Sequence, residues 1–229
     1  MLSILCLLFA CSSEVEKEDN SEEPNDSETE IEAPPVTVSV QLLDITGGNV
    51  PEGITLTSDI EQVILDSNSG DIQVPGDSQF QILIEAENYV THQFTAMSGQ
   101  EDLSLVSYFA KEDLSVAMYD MLELEPNPEK GILIVALDNP NLSPAVGAVA
   151  EIDANHDGAF VMSGMGVDFS NTVSSVGGFV AFPNVDPGET NIEITPPDGK
   201  TCWFHAVGGE GATVNIEAQQ ATVAFFICD

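Results

Sequence analysis

Apolar and polar residues alternate along much of the chain from residue 36 onwards. The first run places apolar side chains at every second position, at Val36, Val38, Val40 and Leu42. A period of two is typical of a strand with one buried face. Similar short runs follow, separated by turn residues: Ile54–Leu56, Val63–Leu65, Ile72–Val74, Phe80–Ile84 and Leu103–Val106. With only one short helix predicted, near Leu114–Leu122, the pattern predicts an all-β fold of the sandwich type.

The pattern of the first half recurs in the second half. Asp44 precedes Gly53 by nine positions, and Asp138 precedes Gly147 by nine positions. Further matches follow in the same order: Gly70–Pro75 with Gly178–Pro183, and Phe80–Ile84 with Asn191–Ile194. The second half carries an insertion of about fourteen residues. We therefore predict two tandem antiparallel β-sandwich domains, 36–122 and 131–229, joined by a proline-containing linker, 123–130.

Two segments carry a family resemblance. An apolar strand runs into Glu85-Ala-Glu-Asn-Tyr89, and the second half contains Gly177–Val185 followed by Pro187-Gly188. This order of strands and turns resembles the carboxypeptidase regulatory-like, or transthyretin-like, β-sandwich. The family usually has Gly where this chain has Asn88, a residue that also enters left-handed backbone conformations. The resemblance implies non-catalytic modules that serve as spacers, docking surfaces or ligand platforms, and it carries over no active-site residue.

The N-terminal segment indicates where in the cell the protein is located. Residues 2–10 are apolar but far shorter than the roughly 20 residues of a membrane-spanning helix. They end in Leu8-Phe9-Ala10-Cys11, which resembles the lipobox of bacterial lipoproteins. The resemblance implies a signal peptide, 1–10, and a lipidated Cys11 that anchors the protein to a membrane. The chain departs from the family pattern because no Lys or Arg precedes the apolar run.

An acidic segment follows the lipobox. Ser12–Pro35 contains ten Asp or Glu residues and one Lys, with very few aliphatic side chains to bury. Such a composition predicts that 11–35 is a disordered, self-repelling linker. Ser12 after the lipid cysteine and the acidic run together resemble outer membrane lipoproteins, including those exported to the cell surface. The predicted location is therefore the bacterial cell envelope.

Charge excludes one class of partner. The chain has 39 acidic residues, four Lys, no Arg and a formal charge of −35. Binding to nucleic acid requires clustered cations that neutralise phosphates, and this chain repels polyanions instead. Nucleic acid is therefore not a predicted partner.

The four cysteines divide by position. If Cys6 leaves with the signal peptide and Cys11 carries lipid, Cys202 and Cys228 remain. Both lie in apolar segments that read as strands, and an oxidising envelope permits a disulfide between them. Two buried free thiols are the alternative interpretation.

One hexapeptide suggests a cation. Asp153, Asn155 and Asp157 alternate ahead of Gly158, which matches the opening of a calcium-binding loop. The closing acid is missing, because Gly164 stands at the twelfth position. Asp-Gly is also a common hairpin turn, so both interpretations remain open. Calcium is the only cofactor that the sequence suggests.

Two functional hypotheses follow. The first is a non-catalytic lipoprotein that presents interaction or spacer modules at a membrane surface, to an envelope protein or a glycan. The alternative is a calcium-dependent module that binds glycan or protein. The sequence contains none of the common motifs of hydrolases, metalloproteases, phosphate loops or redox proteins, so no enzymatic activity is predicted.

Overall fold

Strands with one buried face build the first half of the chain. The computed structural model describes residues 33–44, 50–163, 166–205, 207–209 and 211–229. In β1 the residues at alternate positions from Val36 to Asp44 are buried, as the period of two predicts. The elements of this half are β1 (Val36–Asp44), β2 (Ile54–Thr57), β3 (Gln62–Leu65), β4 (Ser69–Val74), β5 (Gln79–Glu85), β6 (His92–Met97), β7 (Leu103–Phe109) and α1 (Glu112–Met121).

The second half contains only strands among its described residues. They are β8 (Gly131–Asp138), β9 (Val149–Ile152), β10 (Phe160–Ser163), β11 (Gly166–Phe169), β12 (Phe179–Val185), β13 (Gly188–Thr195), β14 (Cys202–Phe204), β15 (Gly211–Ile216) and β16 (Ala221–Cys228). The predicted all-β class is confirmed, and the predicted short helix is α1.

The two halves pair their strands by the same scheme. In the first half, β1 lies between β4, which is antiparallel to it, and β7, which is parallel to it. In the second half, β8 lies in the same way between β12 and β16. The opposing layers are β2–β5–β6 in the first half and β9–β13–β15 in the second. The sequence repeat therefore corresponds to a repeated sandwich.

Individual residues of the repeat also occupy equivalent positions. Gly53 and Gly147 both have positive φ, at 76° and 90°, in the turns that lead to the second strand of each half. Asn88 also has a positive φ, of 65°, a left-handed backbone conformation that Asn can adopt. The insertion in the second half contains the hairpin of β10 and β11, and β10 pairs with β12.

One sheet runs through both halves. β6 pairs in parallel with β16, from His92 opposite Ala221 to Thr95 opposite Ala224. The resulting sheet has the order β11–β10–β12–β8–β16–β6–β5–β2–β3, and β14 also pairs with β16. The sequence pattern does not predict this junction, and it does not predict the parallel pairings. The domain boundaries at 36–122 and 131–229 stay a prediction.

The two larger hydrophobic cores lie on opposite faces of this shared sheet, and a small third cluster contains Leu122, Phe160 and Ala181. On β16, Val223 packs in the core of the first half, whereas its neighbour Ala224 packs in the core of the second. Successive side chains of a strand point to opposite faces, so one strand contributes to both cores.

Candidate functional site

An apolar groove is lined by residues of β7 and α1 from the first half and of β8, β12 and β16 from the second half. Its floor includes a row on β8, namely Ile132, Ile134, Ala136 and Asp138. These four residues are partly buried, whereas Leu133, Val135 and Leu137, on the opposite face of β8, are fully buried in the second core. Phe179, Ala181, Val223 and Phe225 extend the floor onto β12 and β16. The row is therefore a sheet face that the protein covers incompletely.

The walls of the groove come from both halves. Val106 and Tyr108 of β7 and one face of α1, including Met118 and Leu122, contribute from the first half. Leu142 and Val176 contribute from the second half, near Asp138. The enclosed volume is about 430 Å³, within the range of pockets that bind small molecules. At the rim, Tyr108, Leu142 and Val176 keep 60%, 57% and 53% of their surface exposed.

Among the residues that the structure describes, four titratable side chains line the groove: His92, Tyr108, Tyr119 and Asp138. Burial lowers the pKa of His92 to about 4, although its hydrogen bond to the Val90 carbonyl opposes the shift. His92 is therefore neutral at pH 7. Burial raises the pKa of Asp138 to about 6, so its carboxyl group is ionised in most molecules at that pH. Asp138 consequently supplies the negative charge of this groove.

The Asp138 carboxylate lies against Gly178, the residue directly before β12. A Cβ atom placed on Gly178 would collide with Asp138 Oδ1, which shows how closely the carboxylate approaches this glycine. Among the described residues, no side chain or backbone group donates a hydrogen bond to the Asp138 carboxylate. Lys130 is paired with Asp186, and Lys200 donates to Asn139. The charge at the end of the groove is thus left without a partner from the described part of the protein.

Asp44 is the equivalent residue of the first half, and its surroundings differ. Both aspartates end the first strand of their half and precede a positive-φ glycine by nine positions. The Tyr89 hydroxyl donates to Asp44 Oδ2 at 2.8 Å, and Lys111 Nζ lies 3.9 Å from the same oxygen. Burial and the contact with Asp44 raise the pKa of Tyr89 to about 12. In the first half, then, the fold itself provides a phenol and an ammonium group for this carboxylate.

Asp138 is not among the site residues that the sequence predicts. Its signal was available, because the spacing to Gly147 placed Asp138 at the end of a strand equivalent to β1. The groove itself could not be predicted, because it depends on the pairing of β6 with β16.

The three predicted calcium ligands contact three different partners. Both carboxylate oxygens of Asp153 accept hydrogen bonds from Asn191, at 2.9 and 2.6 Å. The Asn155 amide donates to Asp186 at 2.9 Å, and Asp157 accepts a hydrogen bond of 2.7 Å from Asn184. Within the described ranges, no three His, Cys, Asp or Glu side chains are grouped to hold a metal ion. Calcium binding stays a prediction.

The predicted disulfide is present. Cys202 and Cys228 lie directly opposite each other in the antiparallel pair of β14 and β16, and their sulfur atoms are bonded. Both residues are fully buried in the core of the second half. The bridge fixes the end of the last strand to a strand 26 residues earlier.

The predicted lipidation site lies outside the described residues, as do the signal peptide and most of the acidic linker. In the part of the chain that the structure describes, no helix has the length and apolarity needed to cross a membrane.

Comparisons with known proteins give likenesses at the level of structure only. No protein-family model matches the sequence, and no curated protein matches it. The minor pilin GBS52 of Streptococcus agalactiae aligns with 11% identity and a TM-score of 0.31, over 84% of this chain and 95% of its own. The shaft pilin SpaA of Lactobacillus rhamnosus GG aligns with 8% identity and a TM-score of 0.27, over 85% and 97%.

A third solved structure is longer than this chain. The TIE protein of Bacillus anthracis aligns with 11% identity and a TM-score of 0.28, over 85% of this chain. The chain spans about a third of that protein, 34% of its length. At these identities and TM-scores, the three likenesses do not extend to function.

Proposed function

We propose that this protein is a non-catalytic, lipid-anchored protein of the bacterial cell envelope that presents a β-sandwich unit to an envelope protein or a glycan. The observation that carries the proposal is the order of three segments. An apolar run ends in Leu8-Phe9-Ala10-Cys11, an acidic segment follows it, and a compact unit of β-sandwiches then begins near residue 33. This order separates an anchor, a spacer and a folded unit along one chain.

The folded unit suits presentation because its two halves share a sheet. Hydrogen bonds between β6 and β16 connect them in addition to the covalent linker. The disulfide between Cys202 and Cys228 further restrains the last strand, which is central to that sheet. A surface on either half would therefore keep its orientation relative to the other half.

The experiment is metabolic labelling with an alkyne-tagged fatty acid during expression of the full chain in a bacterium with lipoprotein-processing enzymes. We expect the wild-type protein to carry the label and to partition into the detergent phase of a phase-separated extract. Cys11→Ala should lose both properties. Cys6→Ala is the matched control, because this cysteine precedes the predicted cleavage site, and it should retain the label. Label retained by Cys11→Ala, or lost equally by both variants, would overturn the anchor.

A further inference from the structure

The first half of the fold shows which groups can pair with a carboxylate at the position equivalent to Asp138. At the equivalent position of the first half, Asp44 is 5% exposed and is paired with the Tyr89 hydroxyl and the Lys111 ammonium. Lys111 Nζ also lies 5.9 Å above the Tyr89 ring. A buried or partly buried carboxylate needs such partners, because leaving water without them costs free energy. The second half provides the carboxylate but, among its described residues, not the donors.

The groove beside Asp138 is shaped for an apolar molecule that ends in one polar group. Ile132, Ile134 and Ala136 form an apolar row on β8 that leads to Asp138. Four alternate residues of a strand span six intervals, or about 20 Å at roughly 3.3 Å per residue. The exposed rim of Tyr108, Leu142 and Val176 gives further apolar surface that an occupant would remove from water.

The charges of the groove and of the whole chain indicate whether the polar group of a bound molecule should be cationic or anionic. In the described part of the chain no Lys or Arg lines the groove, and His92 is buried and neutral at pH 7. The whole chain carries a formal charge of −35, so its field attracts cations and repels anions. A fatty acid would bring a second carboxylate to Asp138, whereas an amine would bring the group that Lys111 supplies to Asp44.

We propose that the groove binds a cationic amphiphile, a small molecule with an apolar chain or ring and one protonated amine. The apolar part lies along Ile132, Ile134 and Ala136, and the ammonium group donates to the Asp138 carboxylate. Binding does not depend on lipidation or on the partner of the envelope-presenting unit.

The test uses three eight-carbon ligands that differ in their polar group: octylammonium, octanol and octanoate. Isothermal titration of the full chain at pH 7.5 should show octylammonium binding at least tenfold more tightly than octanol, with no measurable binding of octanoate. Asp138→Asn should weaken octylammonium at least tenfold and change octanol less than twofold. Asp120→Asn removes an exposed charge on α1 and serves as the matched control, with an expected change of less than twofold.

Three results would overturn the proposal. Equal affinities for octylammonium and octanol would show an apolar site without charge selection. An equal loss in Asp120→Asn and Asp138→Asn would show general attraction of cations to an acidic surface. Absence of octylammonium binding to the wild-type chain would show that the groove does not take this class of ligand.

A second variant tests the location. Ala136→Leu adds apolar atoms to the floor of the groove without changing its charge, and it should weaken octylammonium and octanol by similar factors of at least five. A thermal melt establishes that the variant is folded. If folded Ala136→Leu binds both ligands as the wild type does, the ligand does not lie on this row.

Discussion

The side-chain amide of Asn184 donates a hydrogen bond of 2.7 Å to the carboxylate of Asp157. The same amide donates to the Glu125 carbonyl at 2.9 Å, and its oxygen accepts hydrogen bonds from the Asn127 backbone and the Tyr119 hydroxyl. Asn184 is 3% exposed and has a φ of 49°. It therefore connects the 153–158 loop, the 123–130 segment and α1 to β12. Asp157, a predicted calcium ligand, is one of the hydrogen-bond partners of the Asn184 side chain.

Asn184→Ala should destabilise the protein by about 2–3 kcal/mol, because it leaves several polar groups without partners inside the protein. Asp157→Ala removes one of these hydrogen bonds and should cost about 1–2 kcal/mol. Urea unfolding of the full chain measures both. Asp153→Ala is the control: its hydrogen bonds to Asn191 are exposed, so it should destabilise the protein clearly less than Asn184→Ala does. Equal costs in Asp153→Ala and Asn184→Ala would contradict this assignment.

The same contacts predict the response to calcium. Asp153, Asn155 and Asp157 now contact Asn191, Asp186 and Asn184, and a carboxylate that accepts a hydrogen bond keeps lone pairs with which it can also bind a cation. The calcium hypothesis therefore predicts that millimolar calcium raises the melting temperature of the full chain relative to chelator, and an unchanged melting temperature would contradict it. Selective binding to the native state would raise this temperature by mass action. A rise reversed by chelator would establish the calcium hypothesis. Asn155→Ala tests it better than Asp157→Ala, which lowers stability without any metal.

The disulfide makes a separate prediction. Replacement of both Cys202 and Cys228 by Ser should lower the free energy of unfolding by about 3 kcal/mol, chiefly because the unfolded chain gains freedom over a loop of 26 residues. Denaturant unfolding with and without a reductant measures the effect. Reductant should destabilise the wild type and leave the double variant unaffected. Cys6→Ser, outside the described residues, should retain the full effect of the reductant. A double variant as stable as the oxidised wild type would contradict the prediction.

Because the pKa of Asp138 is raised, we expect the stability of the protein to depend on pH. Burial raises its pKa from 3.8 to about 6, so the native state resists ionisation and this residue's contribution to stability falls as the pH rises between those values. Asp138→Asn removes the ionisation. It should therefore melt about 2–4 °C above the wild type at pH 7.5, with the difference closing as the pH falls from 6 to 4. Asp120→Asn corrects for the loss of one charge from an acidic protein. A difference that is constant from pH 4 to 8 would refute the assignment to Asp138.

The shared sheet predicts one unfolding transition. Because β16 contributes Val223 to one core and Ala224 to the other, the loss of either core disrupts the strand on which both depend. The fluorescence of Trp203, which lies in the second half, should follow the same denaturation curve as far-ultraviolet circular dichroism, which reports on both halves. Val223→Ala should shift both curves equally, by about 1–2 kcal/mol. Two separated transitions would show that the halves unfold independently.

Much of the fold could be predicted from local patterns in the sequence. The alternation in β1, the paired spacings from Asp44 and Asp138 to their glycines, and the strand positions of Cys202 and Cys228 were all readable, because each depends on neighbouring residues. The pairing of β6 with β16 joins positions about 130 residues apart, and nothing in the alternation of His92–Met97 identifies its partner strand. The groove follows from that pairing. For the same reason, the hydrogen bonds that occupy Asp153 and Asp157 could not be predicted from the calcium-like pattern.

The position of β1 determines how the folded unit would respond to a mechanical load. The acidic segment joins the fold at the start of β1, and β1 is hydrogen-bonded along its length to β4 on one side and β7 on the other. If a force on the residues that precede β1 acts along the axis of this strand, it loads both of these strand pairings at once. The hydrogen bonds on both sides would then bear the force together, in shear, rather than opening one after another. Such a load would reach a strand that is paired on both sides, whereas β16 is closed by the covalent bridge between Cys202 and Cys228.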